Sequence, residues 1–331
     1  MFKPGPLNLI TDIEGISVGH ATDDDVKTGT TVVLCTESVT AGVDVRGGGP
    51  GLRDTDVLSP ENLVGRADAI VLSGGTVFGL ASGDGVATVL SQEGIGLKMG
   101  PDLPPVPIVC GAILFDLSNG GNKEWGMNPP YHDLGIAALK DARKNNGDAF
   151  KQGAIGAGKG AVAGQKQGGI GSTSLDLGGG LMVGAIVAVN SVGSVYMPDG
   201  ETFWAQPFAI DDELGGQKAN PNQEPAVQPM PDDGKFSGTT PGTNTTIGVI
   251  ATSARLTTAE CKRVAMMAHD GFARSIRPVH TPFDGDTIFC ISGGTKEIAD
   301  GPERARRLSD IGAAAADCMA RAVARGVYLA R

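Results

Sequence analysis

Residues 244–253 read NTTIGVIATS, and the way the chain enters them decides its organisation. From Thr245 onward, small and β-branched residues run almost without interruption, as in a buried strand. Just upstream, residues 205–244 (AQPFAIDDELGGQKANPNQEPAVQPMPDDGKFSGTTPGTN) carry no apolar period and are rich in Pro, Gly, Asn and Asp. So long a patternless stretch is uncommon within a compact protein. We read it as a flexible linker that stops where a buried strand starts. The Asn244–Thr245 junction then has three readings: an N-x-[ST] glycosylation site, a plain loop-to-strand boundary, or a bond that is cut to make Thr245 a new N-terminus.

On the C-terminal side, a helix is expected over about 257–275, opened by the capping-box spelling Thr257-x-x-Glu260. A strand DTIFCISG follows at 286–293. An Ala-rich amphipathic helix over about 303–325 has Pro302 near its start. On the N-terminal side, short apolar runs alternate with Gly-rich turns: GISVGHAT, TTVVLC, AGVDVRGGG, ADAIVLSGG and PIVCGAILFDL. Helical spacing appears at 76–94 and 133–145, and strands return over 155–197. The mixture lacks the regular rhythm of a doubly wound sheet. It predicts stacked sheets covered by helices, an α+β fold or four-layer sandwich.

Composition narrows the function. The 331 residues are 40% hydrophobic and 19% charged, the profile of a globular protein. A net charge of −10 without a dense basic patch argues against nucleic acid or an anionic membrane as partner. Cys35, Cys110, Cys261, Cys290 and Cys318 show no CxxC spacing and sit in apolar surroundings. That usage suits free thiols in a reducing compartment. With no signal-peptide h-region and no apolar run long enough to span a bilayer, the expected location is the cytoplasm.

Several motifs are tempting and weak. GAIGAGKG (153–160) spells G-x-x-x-x-G-K but has Gly160 where a P-loop needs Ser or Thr. His20, His132, His269 and His280 share no metal-ligand spacing, so no metal is expected. No G-x-S-x-G elbow is present. In PFDGDT (282–287), Asp284 and Asp286 flank Gly285 just before a strand. The pair by itself suits a tight turn first, and can also orient a catalytic amine or hydroxyl. A freed N-terminal Thr brings its own base, because its α-amine lies beside its hydroxyl. That amine titrates near 7.7–8.0, roughly, so part of it is neutral at neutral pH.

NTTIGVIAT together with AHDGFARSIRPVHTPFDGDTIF (268–289) resembles the DmpA/NylC family of self-processing N-terminal-nucleophile hydrolases. The likeness continues upstream through ITDIEGISVGHATD, GVDVRGGGPGLRDTD, AIVLSGGTVFGLASGDGV and GAGKGAVAGQKQGGIGSTS, and covers about residues 8 to 295. That family includes L-aminopeptidase/D-esterases, β-peptidyl aminopeptidases and 6-aminohexanoate-oligomer endo-hydrolases. The resemblance implies an αββα sandwich of stacked sheets flanked by helices. It also implies self-cleavage at Asn244–Thr245 into an α-chain of residues 1–244 and a β-chain of 245–331, which stay together as one domain and commonly form tetramers. Thr245 matches the family nucleophile, Asn190 the oxyanion Asn, and Asp284 and Asp286 the groups that hold the nucleophile. No cofactor is implied, and the substrate is a short peptide or an oligomer of β- or ω-amino acids.

Two positions depart from the family pattern. Gln165 stands where the nylon-oligomer branch has Lys, leaving Lys166 or Lys159 as substitutes, and Phe115 stands where some relatives have Tyr. Both bear on substrate handling. The reading from another class is a catalytically silent ligand-binding scaffold of the same fold; loss of Thr245 or of the Asp pair would mark it, and both are present.

Overall fold

The computed structural model describes residues 2–218, 229–235 and 244–331. The expected linker therefore lies in part outside the described residues. Its described parts are packed segments: Gln206–Phe208 forms a 3-10 turn, the Glu213 side chain is 6% exposed, and residues 231–235 lie against Val192 and Ser194.

The architecture turns on one long strand. Strand β2 (Thr28–Val45) follows β1 (Ile16–Asp23) and pairs with it over residues 28–35. Farther along, the pairing of β2 passes to β11 (Thr287–Lys296), over residues 40–45. A register shift between Leu34 and Val39 marks where β2 leaves one layer for the other. The first layer is completed by β3 (Leu52–Arg53), β4 (Arg66–Ser73) and β5 (Val109–Ile113). The second contains β8 (Ile170–Asp176), β9 (Met182–Asn190) and β10 (Thr245–Ala254), in the order β11-β10-β9-β8. A small hairpin, β6 (Val162–Ala163) with β7 (Lys166–Gln167), stands apart.

Side-chain alternation along the strands divides the interior into three cores. On β9 and β10, Ile186, Ala188, Ile247 and Val249 join Val33, Ile70 and Ala112 between the two layers. The opposite faces, with Val187, Ile250 and Cys290, pack beneath α3 (Thr258–Ser275) and α4 (Pro302–Tyr328). Val32, Val71 and Val109 pack beneath α1 (Ala81–Gln92) and α2 (Tyr131–Asn145). The stack is helix, sheet, sheet, helix, the expected α+β sandwich. The Thr257–Glu260 capping box forms as its spelling predicts.

Candidate active site

Thr245 opens β10 and Asn190 closes β9, and the antiparallel register sets them directly opposite each other. Thr245 lies two residues before Ile247 and Asn190 two after Ala188, so both side chains face the space between the sheets. They stand at its mouth, with Thr245 1% exposed and Asn190 fully buried. The Asn190 amide is fixed at both ends. Its Oδ1 accepts from Val162 N–H at 2.9 Å, and its Nδ2 donates to the Phe115 carbonyl at 2.9 Å. A carboxamide has two N–H bonds, so one remains for a developing oxyanion.

The Asp pair braces the backbone around Thr245. Asn244 bridges to Asp284, and Gly285 N–H donates to the Asn244 carbonyl at 2.9 Å. The Thr245 hydroxyl donates to that same carbonyl. Asp286 Oδ1 accepts from Thr246 N–H at 2.8 Å, while its Oδ2 accepts from His280 N–H at 3.1 Å and meets His280 Nδ1 at 2.8 Å. Asp284 accepts from Val192 N–H, Thr281 N–H and the Thr281 hydroxyl. Burial, then the like charge of Asp286, raises the Asp284 carboxyl to about 6, with those three donors pulling the other way.

The glycines of this region have a steric purpose. A Cβ on Gly285 would stand 2.6 Å from the Thr245 hydroxyl oxygen, and one on Gly47 would stand 2.3 Å from Asp286 N. The RGGGPG run (46–51) is thus the seat of the DGD turn, because only bare backbone fits there.

Sequence reasoning missed Lys235. Its Nζ lies 3.4 Å from Asn190 Oδ1, and its N–H donates to the Val192 carbonyl at 2.9 Å. Burial lowers this lysine to about 7, against the opposing pull of Asp284. PDDGK (231–235) spells no motif, and only the packing of that strap brings its lysine to the mouth.

The remaining candidates are placed differently. Phe115 enters through its carbonyl, which anchors Asn190. Gln165 is exposed and donates from Nε2 to the Asp232 carbonyl at 3.0 Å, pinning the strap that carries Lys235. Lys166 is exposed on the β6–β7 hairpin, and Lys159 pairs with Asp24. GAIGAGKG forms a short 3-10 turn at Gly156–Gly158, whose N–H groups are taken up by hydroxyls: Gly156 by Thr22 at 2.9 Å and Ala157 by Thr31 at 3.1 Å. No phosphate cradle is left in those bonds.

With this geometry in hand, comparison with known proteins is informative. The family model of Peptidase family S58 matches residues 8–331. An uncharacterized aminopeptidase of Mycobacterium leprae (strain TN) is 41% identical, across 98% of this chain and 91% of that protein. A 6-aminohexanoate-oligomer endohydrolase of Kocuria sp. (strain KY2) is 29% identical, across 96% of this chain and 83% of its own. Among solved structures, the L-aminopeptidase D-Ala-esterase/amidase of Ochrobactrum anthropi, described as a variant of the Ntn-hydrolase fold, superposes with a TM-score of 0.70. It is 18% identical and covers 98% of this chain and 87% of its own, a likeness of fold.

Proposed function

The chain belongs to Peptidase family S58 and is an amide hydrolase, and from that premise we propose that it cuts itself between Asn244 and Thr245 and then uses Thr245 as an N-terminal nucleophile. One observation carries this reading. The Thr245 hydroxyl lies on the Asn244 carbonyl, which is also polarised by Gly285 N–H, directly across from Asn190. Attack of Oγ1 on that carbonyl closes a five-membered ring and moves the acyl group from nitrogen to oxygen. Breaking the carbon–nitrogen bond frees the Thr245 amine, and water then hydrolyses the ester to give the Asn244 carboxylate and the Thr245 hydroxyl.

In turnover the same hydroxyl attacks a substrate amide. The α-amine takes its proton and returns it to the leaving amine, Asn190 Nδ2 holds the oxyanion, and water then hydrolyses the acyl-enzyme ester to release the acid. Asp286 and Asp284 fix the backbone on either side of the nucleophile. Their negative charge favours the ammonium form, so their contribution is orientation.

For substrate, the relatives support aminopeptidase action on peptides; 6-aminohexanoate oligomers are the second class to test. Assembly into tetramers of αβ units accords with the exposed apolar side chains Val77, Phe78, Met99, Leu103 and Met127, which lie near the ends of α1 and α2. Five buried, free cysteines accord with a cytoplasmic location.

Intact mass and denaturing electrophoresis test the central step. Wild type is expected to give fragments starting at Met1 and Thr245, with the Thr245→Ala chain whole and inactive on aminoacyl p-nitroanilides and on 6-aminohexanoate oligomers. A wild-type chain that remains whole while hydrolysing either substrate would overturn the reading.

A further inference from the structure

Before the cut, the nitrogen of Thr245 is an amide and cannot serve as the base that the freed amine later provides. Another group has to accept the hydroxyl proton. Asp284 is engaged by Val192 N–H and by both donors of Thr281. Asp286 is engaged by Thr246 N–H and by His280 through its N–H and ring. Both carboxylates already spend their oxygens on these donors, and Asp284, although burial raises it to about 6, stays below the lysine described next.

Lys235 is placed differently. Among the described residues, its Nζ makes one hydrogen-bond contact, at 3.4 Å to Asn190 Oδ1, on the residue opposite Thr245. Opposed side chains on one face of a sheet stand about 4.5–5.5 Å apart at Cβ. The strap is held where this contact needs it: Gln165 binds the Asp232 carbonyl, the Ser194 hydroxyl binds Asp233, and Lys235 N–H binds Val192.

We propose that the Lys235 side-chain amine is the proton acceptor of self-cleavage, acting before the cut as the Thr245 α-amine acts after it. This deepens the reading above and rests on the cut at Asn244–Thr245. The proton on Thr245 Oγ1 passes to Lys235 Nζ, directly or through one water, as Oγ1 bonds to the Asn244 carbonyl carbon. The oxyanion forms where Gly285 N–H already points. The carbon–nitrogen bond then breaks, and the Lys235 ammonium returns the proton to the Thr245 nitrogen. Hydrolysis of the ester adds one water and leaves the Asn244 carboxylate. The basicity suits the role: Lys235, lowered to about 7, is partly neutral at neutral pH. That is close to the roughly 7.7–8.0 of the α-amine that succeeds it.

The test follows self-cleavage of the full chain over time by denaturing electrophoresis. Wild type is compared with Lys235→Ala, Lys235→Met and Lys235→Arg, each checked for folding by circular dichroism. Lys235→Ala and Lys235→Met are expected to slow cutting by about 10²-fold or more, the usual worth of a positioned base. Added ethylamine is expected to accelerate Lys235→Ala and leave wild type unchanged. Lys235→Arg is expected to be as slow as the alanine variant, because a guanidinium keeps its proton. Cutting at the wild-type rate by Lys235→Ala or Lys235→Arg, or no response of Lys235→Ala to ethylamine, would overturn the assignment. A wild-type chain that never cuts would instead sink the self-cleavage on which it rests.

Discussion

Two buried clusters built from the same materials stand on either side of the β8–β11 sheet. At the mouth, Lys235 binds Asn190, and the charge of Asp284 acts on the lysine from nearby. At the back, a cation, an acid and an asparagine meet as Arg321, Glu213 and Asn8. The back cluster is densely bonded. Arg321 donates to Glu213 at 2.7 and 2.8 Å, to Asn8 Oδ1 at 3.0 Å and to the Ser174 carbonyl at 3.2 Å. At the mouth, Lys235 makes one long contact among the described residues and Asn190 retains a spare N–H. A densely bonded buried charge is a fastener, because every change of its state costs hydrogen bonds. An under-bonded one keeps capacity for a proton or an oxyanion. Side chains at the back should therefore govern stability, and those at the mouth rate.

The largest expected effect is at the back. Arg321→Ala leaves Glu213 buried without its cation, which costs about 3–5 kcal/mol of stability. Urea unfolding should show a lower midpoint. On the proposed cut, Glu213 and Arg321 belong to different chains, so the variant should also let the two fragments separate at lower urea. A loss below about 1 kcal/mol would mean the pair behaves as a surface ion pair, and the contrast with the mouth would fail.

Next comes Asn190→Ala. Removing one oxyanion donor costs about 10²–10³-fold in kcat. Steady-state assays on aminoacyl p-nitroanilides would read it from whatever fraction of the chain has cut. An equal loss in an Asn8→Ala variant would erase the distinction between the two asparagines, which are alike in sequence and differ only in what surrounds them.

That difference explains what was legible beforehand. Strands, helix ends and the Thr257 cap follow from local chemistry, and the sequence carries it openly. Thr245, Asn190, Asp284 and Asp286 were reachable because each sits at a strand end inside a recognisable family pattern. Lys235 was not, since its place depends on a Pro- and Asp-rich strap whose course is set by Gln165, Val192 and Ser194. RGGGPG was readable as a tight turn, but its seat beneath the DGD turn exists only in three dimensions. Likewise, nothing local announces that β2 serves both layers.

The pH dependence of stability probes buried groups outside both clusters. Burial lowers His269 to about 3 and His20 to about 4, below the roughly 6.5 of an unfolded imidazole. Between those limits the unfolded chain binds more protons, so stability is full above about 6.5 and falls as the pH drops. Asp284 acts in the opposite sense: raised to about 6, it makes the folded chain the better proton binder between about 4 and 6. Asp116 and Asp317, also raised by burial, act with Asp284. The two histidines, displaced over the whole interval below about 6.5, set the net loss on acidification, each group worth at most about 1.4 kcal/mol per pH unit. Melting temperatures from pH 7 to 4.5 should fall, and His269→Gln should flatten the fall. A rise in melting temperature on acidification would show that the buried carboxyls outweigh the histidines.

The smallest effect serves as the zero point for the comparison. Thr257 caps α3, accepting from Glu260 N–H at 3.3 Å while its own N–H donates to Glu260 Oε2 at 2.8 Å. Glu260 also binds Arg304 at 2.6 and 2.8 Å, so it keeps its main partner when the cap is removed. Thr257→Ala should therefore cost about 1 kcal/mol in urea unfolding. Its self-cleavage and turnover should match wild type, because no bond of the cap reaches Thr245. If so small a loss of stability slowed the cut as much as a change at the mouth, cutting would be limited by the firmness of the fold, and the separation of fastener from reactive site would not hold.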